Sequence, residues 1–474
     1  MKAYIKAIVL AMLCAKALLA RTVKPSTTTS NIVLSTVTIN LPYHNQELKY
    51  ICQGRLFDYS NDNYPGLVVW GCNGSTWTPA PVLAFKNIGG TFLPVTDPTV
   101  TGISTTSAGD SLIADFNNNG IKELVIEDAG IDTGDFSGSV CKVLEPTLYG
   151  GVTRDTTLTP SVPNYTHSAA IADIDKDGYM DFLEVNMIFN NFGLVQGTVL
   201  CINDKKGHLV ESPGRLPSDI ENNPQAGWNS GAFIDANNDG YPDIVLGGGY
   251  DGWKTHYPNI LLINDGTGHY KDRYYLPPRI LGDNSMADYI APITINGRHD
   301  LLVATNLWDT YGGSLCAVQV LKNNGNNTFT DVSSNSGIVF TPDEIGLIKI
   351  IVADLNNDGI QDVICFGNST TCGQFIRVFL GKSDGTFNDV TQTYYPNNQY
   401  RNVAAVDVAD VDNNGYLDLV TLENTWTNQP TLTITYTVPV NNTKLHTLAK
   451  PLLEKLPTIT TKEDDLLKLI SKSQ

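Results

Sequence analysis

Short apolar runs recur along the chain, each directly after a polar loop. The clearest are ELVIE at 123–127, DFLEV at 181–185, DIVLGG at 243–248, DVICFG at 362–367 and DLVTL at 418–422. They are rich in β-branched residues and are bounded by turn formers, a pattern typical of strands. The pattern therefore predicts a protein built from many short strands.

The polar loops that precede these runs are copies of one another. Five read DFNNNGIKE, DIDKDGYMD, DANNDGYPD, DLNNDGIQD and DVDNNGYLD, beginning at residues 115, 173, 235, 354 and 410. Two weaker copies, DYSNDNYPG from Asp58 and PITINGRHD from Pro292, extend the series to seven with spacings of 57, 58, 62, 57, 62 and 56 residues. A steady period in this range indicates stacked supersecondary units.

Each period contains four predicted strands. In the third unit these are SAAIAD before the loop, DFLEVNM after it, then TVLCIND and HLVES. Seven units of four antiparallel strands predict an all-β, seven-bladed β-propeller with the loops between the first and second strands. A parallel β-helix has much shorter repeats and is disfavoured.

The seventh unit lacks a fourth strand, whereas residues 31–41 form a predicted strand that belongs to no blade. We expect this strand to complete blade seven and close the propeller, which would span residues 21–440; the alternative is pairing by the C-terminal tail. Residues 441–474 differ in composition and predict a short amphipathic helix within a tail.

The repeated loop has the composition of a Ca²⁺ site. It places side-chain oxygens at positions 1, 3, 5 and 9, a free backbone carbonyl at position 7 and Gly at position 6, and Ca²⁺ takes six to eight such oxygens. An EF-hand loop is longer, ends on Glu and lies between helices, so it does not fit. We predict about five sites that stabilise the fold. Their ligands are Asp115, Asn117, Asn119, Ile121 and Glu123; Asp173, Asp175, Asp177, Tyr179 and Asp181; Asp235, Asn237, Asp239, Tyr241 and Asp243; Asp354, Asn356, Asp358, Ile360 and Asp362; Asp410, Asp412, Asn414, Tyr416 and Asp418.

These loops, followed by strands and accompanied by NDGTGHY at 264–270 and KSDGTF at 382–387, resemble FG-GAP/VCBS repeats, whose best-known members are the propellers of integrin α-subunits. The resemblance covers about residues 31–440. It implies Ca²⁺ bound in the loop between the first two strands of a blade. Integrin α chains also carry leg domains and a membrane span. This chain shows neither, so it resembles a free-standing secreted propeller.

Residues 1–20 have basic Lys2 and Lys6, an apolar stretch and small residues, which predict a secretory signal cleaved after Ala17 or Ala20. No later stretch is long and apolar enough to span a bilayer. Secretion makes glycosylation and disulfides relevant. Sequons occur at Asn73, Asn164, Asn326, Asn368 and Asn441, and the predicted disulfides join Cys52 to Cys72 and Cys365 to Cys372. Cys141, Cys201 and Cys316 are predicted to pack inside blades, a Cys141–Cys201 bridge being the weaker alternative.

The formal net charge is −18, and the five loops hold 15 of the carboxylates. This balance argues against nucleic acid and anionic membranes as partners.

The face opposite the loops is predicted to carry most of the tryptophans. Five of the six fall in connections on that side, namely Trp77, Trp228, Trp253, Trp308 and Trp426. Aromatic rings on loops suit stacking on sugars or anchoring a protein; the alternative is that each ring covers a cleft between blades. The favoured function is thus a secreted binding or adhesion module for a glycan or protein.

The alternative function is an extracellular hydrolase, for example a polysaccharide-degrading enzyme. Its candidate groups are Glu127, Asp128, Asp132 and Asp135, or Asp251 with His256. Glycoside hydrolysis needs two carboxyl groups at a fixed separation, which a sequence does not show. No GxSxG, HExxH or phosphate-binding glycine loop occurs.

Overall fold

The structure is a computed structural model. It describes residues 22–23, 27–29, 32–41, 50–73, 78–95, 103–106, 108–130, 138–146, 152–155, 164–186, 197–221, 227–249, 256–307, 315–370, 373–395, 403–423 and 430–439. The predicted signal and the predicted C-terminal helix lie outside these residues. Within them, no helix combines the length and apolarity needed to cross a bilayer.

Seven antiparallel sheets form the blades of a propeller, which confirms the predicted fold class. The innermost strands, from blade one to blade seven, are Tyr50–Phe57, Ala108–Ala114, Thr166–Ala172, Trp228–Ile234, Met286–Ile295, Glu344–Ala353 and Val403–Ala409. The second strands are Gly66–Cys72, Glu123–Asp128, Asp181–Asn186, Asp243–Gly248, Arg298–Leu307, Asp362–Ser369 and Asp418–Glu423. The third strands are Leu83–Asn87, Lys142–Pro146, Val199–Asn203, Ile260–Asn264, Leu315–Asn323, Gly373–Gly381 and Thr431–Pro439. The outer strands are Phe92–Pro94, Val152–Asp155, Leu209–Glu211, Tyr270–Tyr275, Phe329–Asp331, Phe387–Asp389 and Ile32–Asn40.

Blade seven takes its outer strand from the start of the chain. Ile32–Asn40 pairs antiparallel with Thr431–Pro439 along its whole length, so the two ends of the propeller sequence meet in one sheet. Further short elements attach to the blades. They are Thr22–Val23 and Thr27–Thr29, which pair with Ile32–Asn40, Ala80–Pro81 paired with Ser104–Thr105, helices Ser218–Glu221 and Thr391–Tyr394, and a 3₁₀ turn at Ser333–Asn335.

The hydrophobic core lies between neighbouring blades. One cluster joins Val37 and Leu432 of blade seven to Leu56 and Phe85 of blade one, and similar clusters fill other gaps between blades. The innermost strands pack side by side around the axis, and blade seven contacts blade one. Each sheet is therefore covered on both faces, and its edges face either the axis or the rim.

Each innermost strand contains a β-bulge near the end that lies away from its loop. In blades three and four the extra residues are His167 and Asn229, and in blade five it is Asp288. A bulge bends and twists its strand. The bulges therefore redirect side chains at the same depth in every blade. We call this end of the axis the upper face.

Candidate metal centres in the blade loops

The loops fold around the side chain at position 1. In blade three, Asp173 accepts hydrogen bonds from the N–H groups of Asp177 and Gly178 at 3.0 and 2.8 Å. Residues at positions 4 and 6 adopt positive φ. Gly at position 6 has φ of 83–90°, whereas position 4 is Asn118, Lys176, Asn238, Asn357 or Asn413 with φ of 55–58°. Sequence reasoning found the Gly and missed position 4, although the recurring Asn there was a signal.

The carboxylate at position 9 is buried and held by two elements. Asp181 accepts from Ile174 N of its own loop at 3.0 Å and from Asn203 N of the third strand at 2.9 Å. Asp243, Asp362 and Asp418 make the equivalent pairs of bonds. Position 9 therefore ties the loop to the sheet.

Burial, together with the neighbouring loop carboxylates, raises the pKa of these acids. The pKa of Asp181 and of Asp243 rises to about 6, and that of Asp362 to about 7. Burial likewise raises the pKa of Glu123 to about 7. A buried carboxyl group surrounded by like charges ionises more readily when a cation is bound beside it.

The acidic clusters of blades three and seven fit a metal ion. Ligand oxygens of Asp173, Asp175 and Asp177 lie within 4.8 Å of one another, as do those of Asp410, Asp412 and Asp418. In both loops the position 3 carboxylate, Asp175 or Asp412, has a buried Oδ1 without a hydrogen-bond partner. Buried acceptors normally have partners. Hard oxygen donors that converge in this way suit Ca²⁺.

The remaining three loops have Asn at position 3, and its amide bonds inside the loop. Asn237 Nδ2 donates to Asp239 Oδ2 at 2.8 Å and Asn356 Nδ2 to Asp358 Oδ2 at 2.9 Å, while Asn117 Nδ2 donates to Glu123 Oε1 at 3.3 Å. The five loops, which look alike in sequence, thus form two groups.

The two weak copies of the loop, in blades one and five, hold other groups around position 9. In blade one, position 9 is Gly66, and a Cβ there would lie 2.4 Å from Cε1 of Tyr59, whose ring fills the place of the carboxylate. In blade five, Ile295 and Arg298 flank a two-residue turn with positive φ at Asn296 and Gly297. Here Arg298 binds Asp300 through two hydrogen bonds of 2.7 and 2.6 Å. Blade five therefore neutralises its position 9 acid with a guanidinium group.

A buried Asn at the end of the third strand connects four loops to the next blade. The Nδ2 atoms of Asn203, Asn264 and Asn323 donate to the position 2 carbonyl of the preceding blade's loop at 2.8–2.9 Å, and Asn87 reaches Val411 at 2.7 Å. The amide oxygens accept N–H groups from their own turns. We call these four residues the inter-blade asparagines. Each of them fixes the loop of one blade to the third strand of the next, and no role was predicted for them from the sequence.

Comparison with known proteins identifies the family that these repeats resemble. A family model described as FG-GAP-like repeat matches residues 293–365 and 354–421. The matched stretches include the loops from Asp354 and Asp410, whose geometry recurs in the earlier blades. The chain is a seven-bladed β-propeller that contains FG-GAP-like repeats.

No curated protein matches this FG-GAP propeller. Among solved structures, a Photorhabdus luminescens Tc holotoxin pore is similar at 15% identity, with a TM-score of 0.36 over 85% of this chain and 18% of that chain. The FG-GAP propeller spans less than a fifth of the length of that protein.

Of the five tryptophans predicted to bind ligand, one lies within the described residues. Trp77, Trp253, Trp308 and Trp426 lie outside the described residues. Trp228 is placed wrongly by the sequence, because it begins the innermost strand of blade four and is 4% exposed. Its ring packs on Tyr257 with centroids 5.5 Å apart. Trp228 is a core residue of the FG-GAP propeller and is not available to a ligand.

Among the cysteines, Cys141 and Cys201 are buried free thiols in one hydrophobic cluster. Cys316 is half-buried in the third strand of blade five. Cys52 lies at the bulge of blade one and Cys72 ends the facing strand, so their pairing stays a prediction. Cys372 lies outside the described residues, and Cys365 is buried.

Of the sequon residues, Asn326 is exposed, Asn73 and Asn368 are half-buried, and Asn441 lies outside the described residues. Asn164 is 3% exposed, and its Nδ2 donates to Glu184 at 3.2 Å. The nitrogen that a glycan would modify is thus buried and engaged, so we do not carry Asn164 forward as a glycosylation site.

Three of the six groups considered for hydrolysis lie within the described residues. Glu127 and Asp128 are buried within the second strand of blade two, where Asp128 lies 3.4 Å from Lys142 Nζ. The ring of His256 donates from Nδ1 to the carbonyl of Asp283 at 2.9 Å. Asp132, Asp135 and Asp251 lie outside the described residues.

Proposed function

We propose that this FG-GAP propeller is a secreted, Ca²⁺-stabilised binding or adhesion module for an extracellular glycan or protein. The observation that carries the metal part is the buried, unpartnered carboxylate oxygen of Asp175 and of Asp412, each inside an acidic cluster. An FG-GAP propeller suggests a binding module in general. The leader-like residues 1–20 and the sequons support secretion.

Bound Ca²⁺ would supply positive charge and nothing catalytic. In blade three the carboxylates at positions 1, 3 and 5 would ligate it, and in blade seven those at positions 1, 3 and 9. The position 9 carboxylate would also hold each loop on its sheet. Because a ligand that binds only the folded state stabilises it, the ion would raise the stability of each blade that binds it.

Calorimetry of the purified chain with Ca²⁺ tests the metal part. Asp175→Asn should remove or weaken Ca²⁺ binding in blade three, and Asp412→Asn should do the same in blade seven. Asp62→Asn is the matched control, because Asp62 lies in the blade one loop, where Gly66 has replaced the position 9 acid. No heat of binding at millimolar Ca²⁺, or an equal loss in the control, would disprove the assignment.

A glycan array with and without EGTA tests the partner. Calcium-dependent binding that is lost in Trp253→Ala or Trp308→Ala would support the glycan proposal. Tyr275→Ala is the control, since Tyr275 is 66% exposed on an outer strand. A blank array from folded, Ca²⁺-loaded protein would reject the glycan proposal in favour of a protein partner.

A further inference from the structure

Side chains of five blades meet on the propeller axis. Lys349 Nζ of blade six lies 2.6 Å from Asp110 Oδ1 of blade two, and Tyr289 Oη of blade five donates to Asp110 Oδ2 at 2.8 Å. Arg55 of blade one pairs with Asp407 of blade seven at 3.3 Å. The two contacts to Asp110 cross the ring between blades that are not neighbours, whereas Arg55 and Asp407 join adjacent blades. We call this group the axial cluster.

A cavity of about 150 Å³ lies beside the axial cluster. Its polar lining includes Arg55, Asp110, Ser111 and Glu127, and its less polar wall includes Leu112 and Ile290. The lining comes from the innermost strands near their bulges and, at Glu127, from the second strand of blade two. A few convergent polar groups against an apolar wall are typical of small-molecule sites.

Within the part of the chain that the structure describes, three polar atoms of this lining have no hydrogen-bond partner. Glu127 Oε2 and Ser111 Oγ are buried without a hydrogen bond, and the two residues are 2% and 4% exposed. Arg55 Nε is unpartnered as well. Leaving such groups unsatisfied is unfavourable. Three orphaned atoms around one cavity indicate a guest that supplies both donors and acceptors.

The charged groups around the cavity indicate the charge of the ligand that it would bind. Lys349 pairs with Asp110, and Arg55 with Asp407, so the cations already have partners. Burial and the charge of Asp110 raise the pKa of Glu127 well above its usual range, which favours the neutral carboxyl group, and that form both donates and accepts. A guest with net charge would upset this balance. Hydroxyl groups, which donate and accept without charge, fit all three orphaned atoms.

We propose that the axial cavity binds hydroxyl groups of a sugar, with Ser111 and Glu127 as direct contacts and Arg55 Nε as a further donor. A cavity of about this volume holds a six-membered ring in other proteins. It would therefore take the hydroxyl-bearing edge of one terminal residue. This inference rests on the proposed glycan-binding function, and it places recognition on the propeller axis.

Saturation-transfer NMR on the full chain with methyl glycosides of mannose, galactose and N-acetylglucosamine, and with glycerol, tests the site. Ser111→Ala and Glu127→Gln should weaken glycoside binding by about tenfold. Ser383→Ala, on an exposed turn, and Glu221→Gln, at the end of the helix Ser218–Glu221, are matched controls outside the cavity and should not change glycoside binding. A circular dichroism spectrum like that of the parent and a cooperative melting transition would show that the axial variants fold.

The outcomes separate the two proposals. Glycoside binding that survives both axial variants but is lost in Trp253→Ala or Trp308→Ala overturns the axial site and leaves the glycan-binding function intact. A cavity that holds water only, with no methyl glycoside or glycerol signal, also overturns it, while the glycan array independently decides the function.

Discussion

The inter-blade asparagines allow a quantitative test of how the ring is held together. In Asn264→Ala the side chain loses its donations to Ile174 O at 2.8 Å and Pro242 O at 3.1 Å, and its acceptance from Gly266 N and Gly268 N at 2.9 and 3.0 Å. Asn264 is 2% exposed, so water does not replace these partners freely.

The size of the expected stability loss depends on which of the groups that lose a partner are buried. The bonds to the Ile174 carbonyl and from the Gly268 N–H are buried, whereas the N–H of Gly266 is partly exposed. Two buried orphaned groups at about 1–3 kcal/mol each give an expected loss of about 2–6 kcal/mol in the free energy of unfolding. Asn203→Ala should cost a similar amount, because Asn203 makes the same contacts one blade earlier.

Urea denaturation in saturating Ca²⁺ measures this loss. Asn324→Ala is the control, since Asn324 is exposed and its described side-chain hydrogen bonds go to Thr328 and Thr330 of the same hairpin; it should stay within about 0.5 kcal/mol of the parent. A loss for Asn264→Ala no larger than that for Asn324→Ala would refute the inference that these amides hold neighbouring blades together.

Three further predictions concern other sites. Arg298→Ala should destabilise by about 3 kcal/mol, because it leaves the buried carboxylate of Asp300 uncompensated; adding Asp300→Asn should recover most of the loss in urea denaturation, and no recovery would contradict the pairing. Gly66→Ala should cost about 1–3 kcal/mol by the same assay, since its Cβ would meet the Tyr59 ring and the Phe85 carbonyl, whereas Gly109→Ala, with open space around its Cβ, should not. Because the folded-state pKa of Glu127 lies well above 4.5, the proton held by the native state contributes stability that is full below pH 4.5 and is lost as pH rises toward that raised pKa. Glu127→Gln should therefore gain stability relative to the parent as pH increases from 4.5 to 8, and a pH-independent difference would show that Glu127 titrates normally.

The blades and their loops could be predicted because their signals are local. Strand residues next to each loop, such as Asp243 and Asp418, follow a repeated nine-residue pattern whose turn chemistry depends on a few adjacent residues. The place of Ile32–Asn40 was also predictable, because an incomplete blade and an unpaired strand require each other. The same local signals gave five equivalent metal loops, and they did not show that Asn237 and Asn356 bond within their loops while Asp175 and Asp412 have free oxygens.

Trp228 shows where a local reading fails. It follows a polar stretch that resembles a blade-to-blade crossing, yet the strand begins at this residue and the bulge follows at Asn229. Burial was decided by Tyr257, which lies 29 positions later in the sequence and packs on the indole.

The sequence by itself determined the number of blades, their strand order and the composition of the loops, because hydrophobic alternation and turn chemistry act over a few residues. Only the tertiary structure decided the axial cluster. Tyr289 and Lys349 reach Asp110 across separations of 179 and 239 residues, and no periodic pattern connects these positions. They meet because closing seven blades into a ring brings one depth of every innermost strand to a common axis. The unpartnered oxygens of Glu127 and Ser111 could be seen only once that ring was closed.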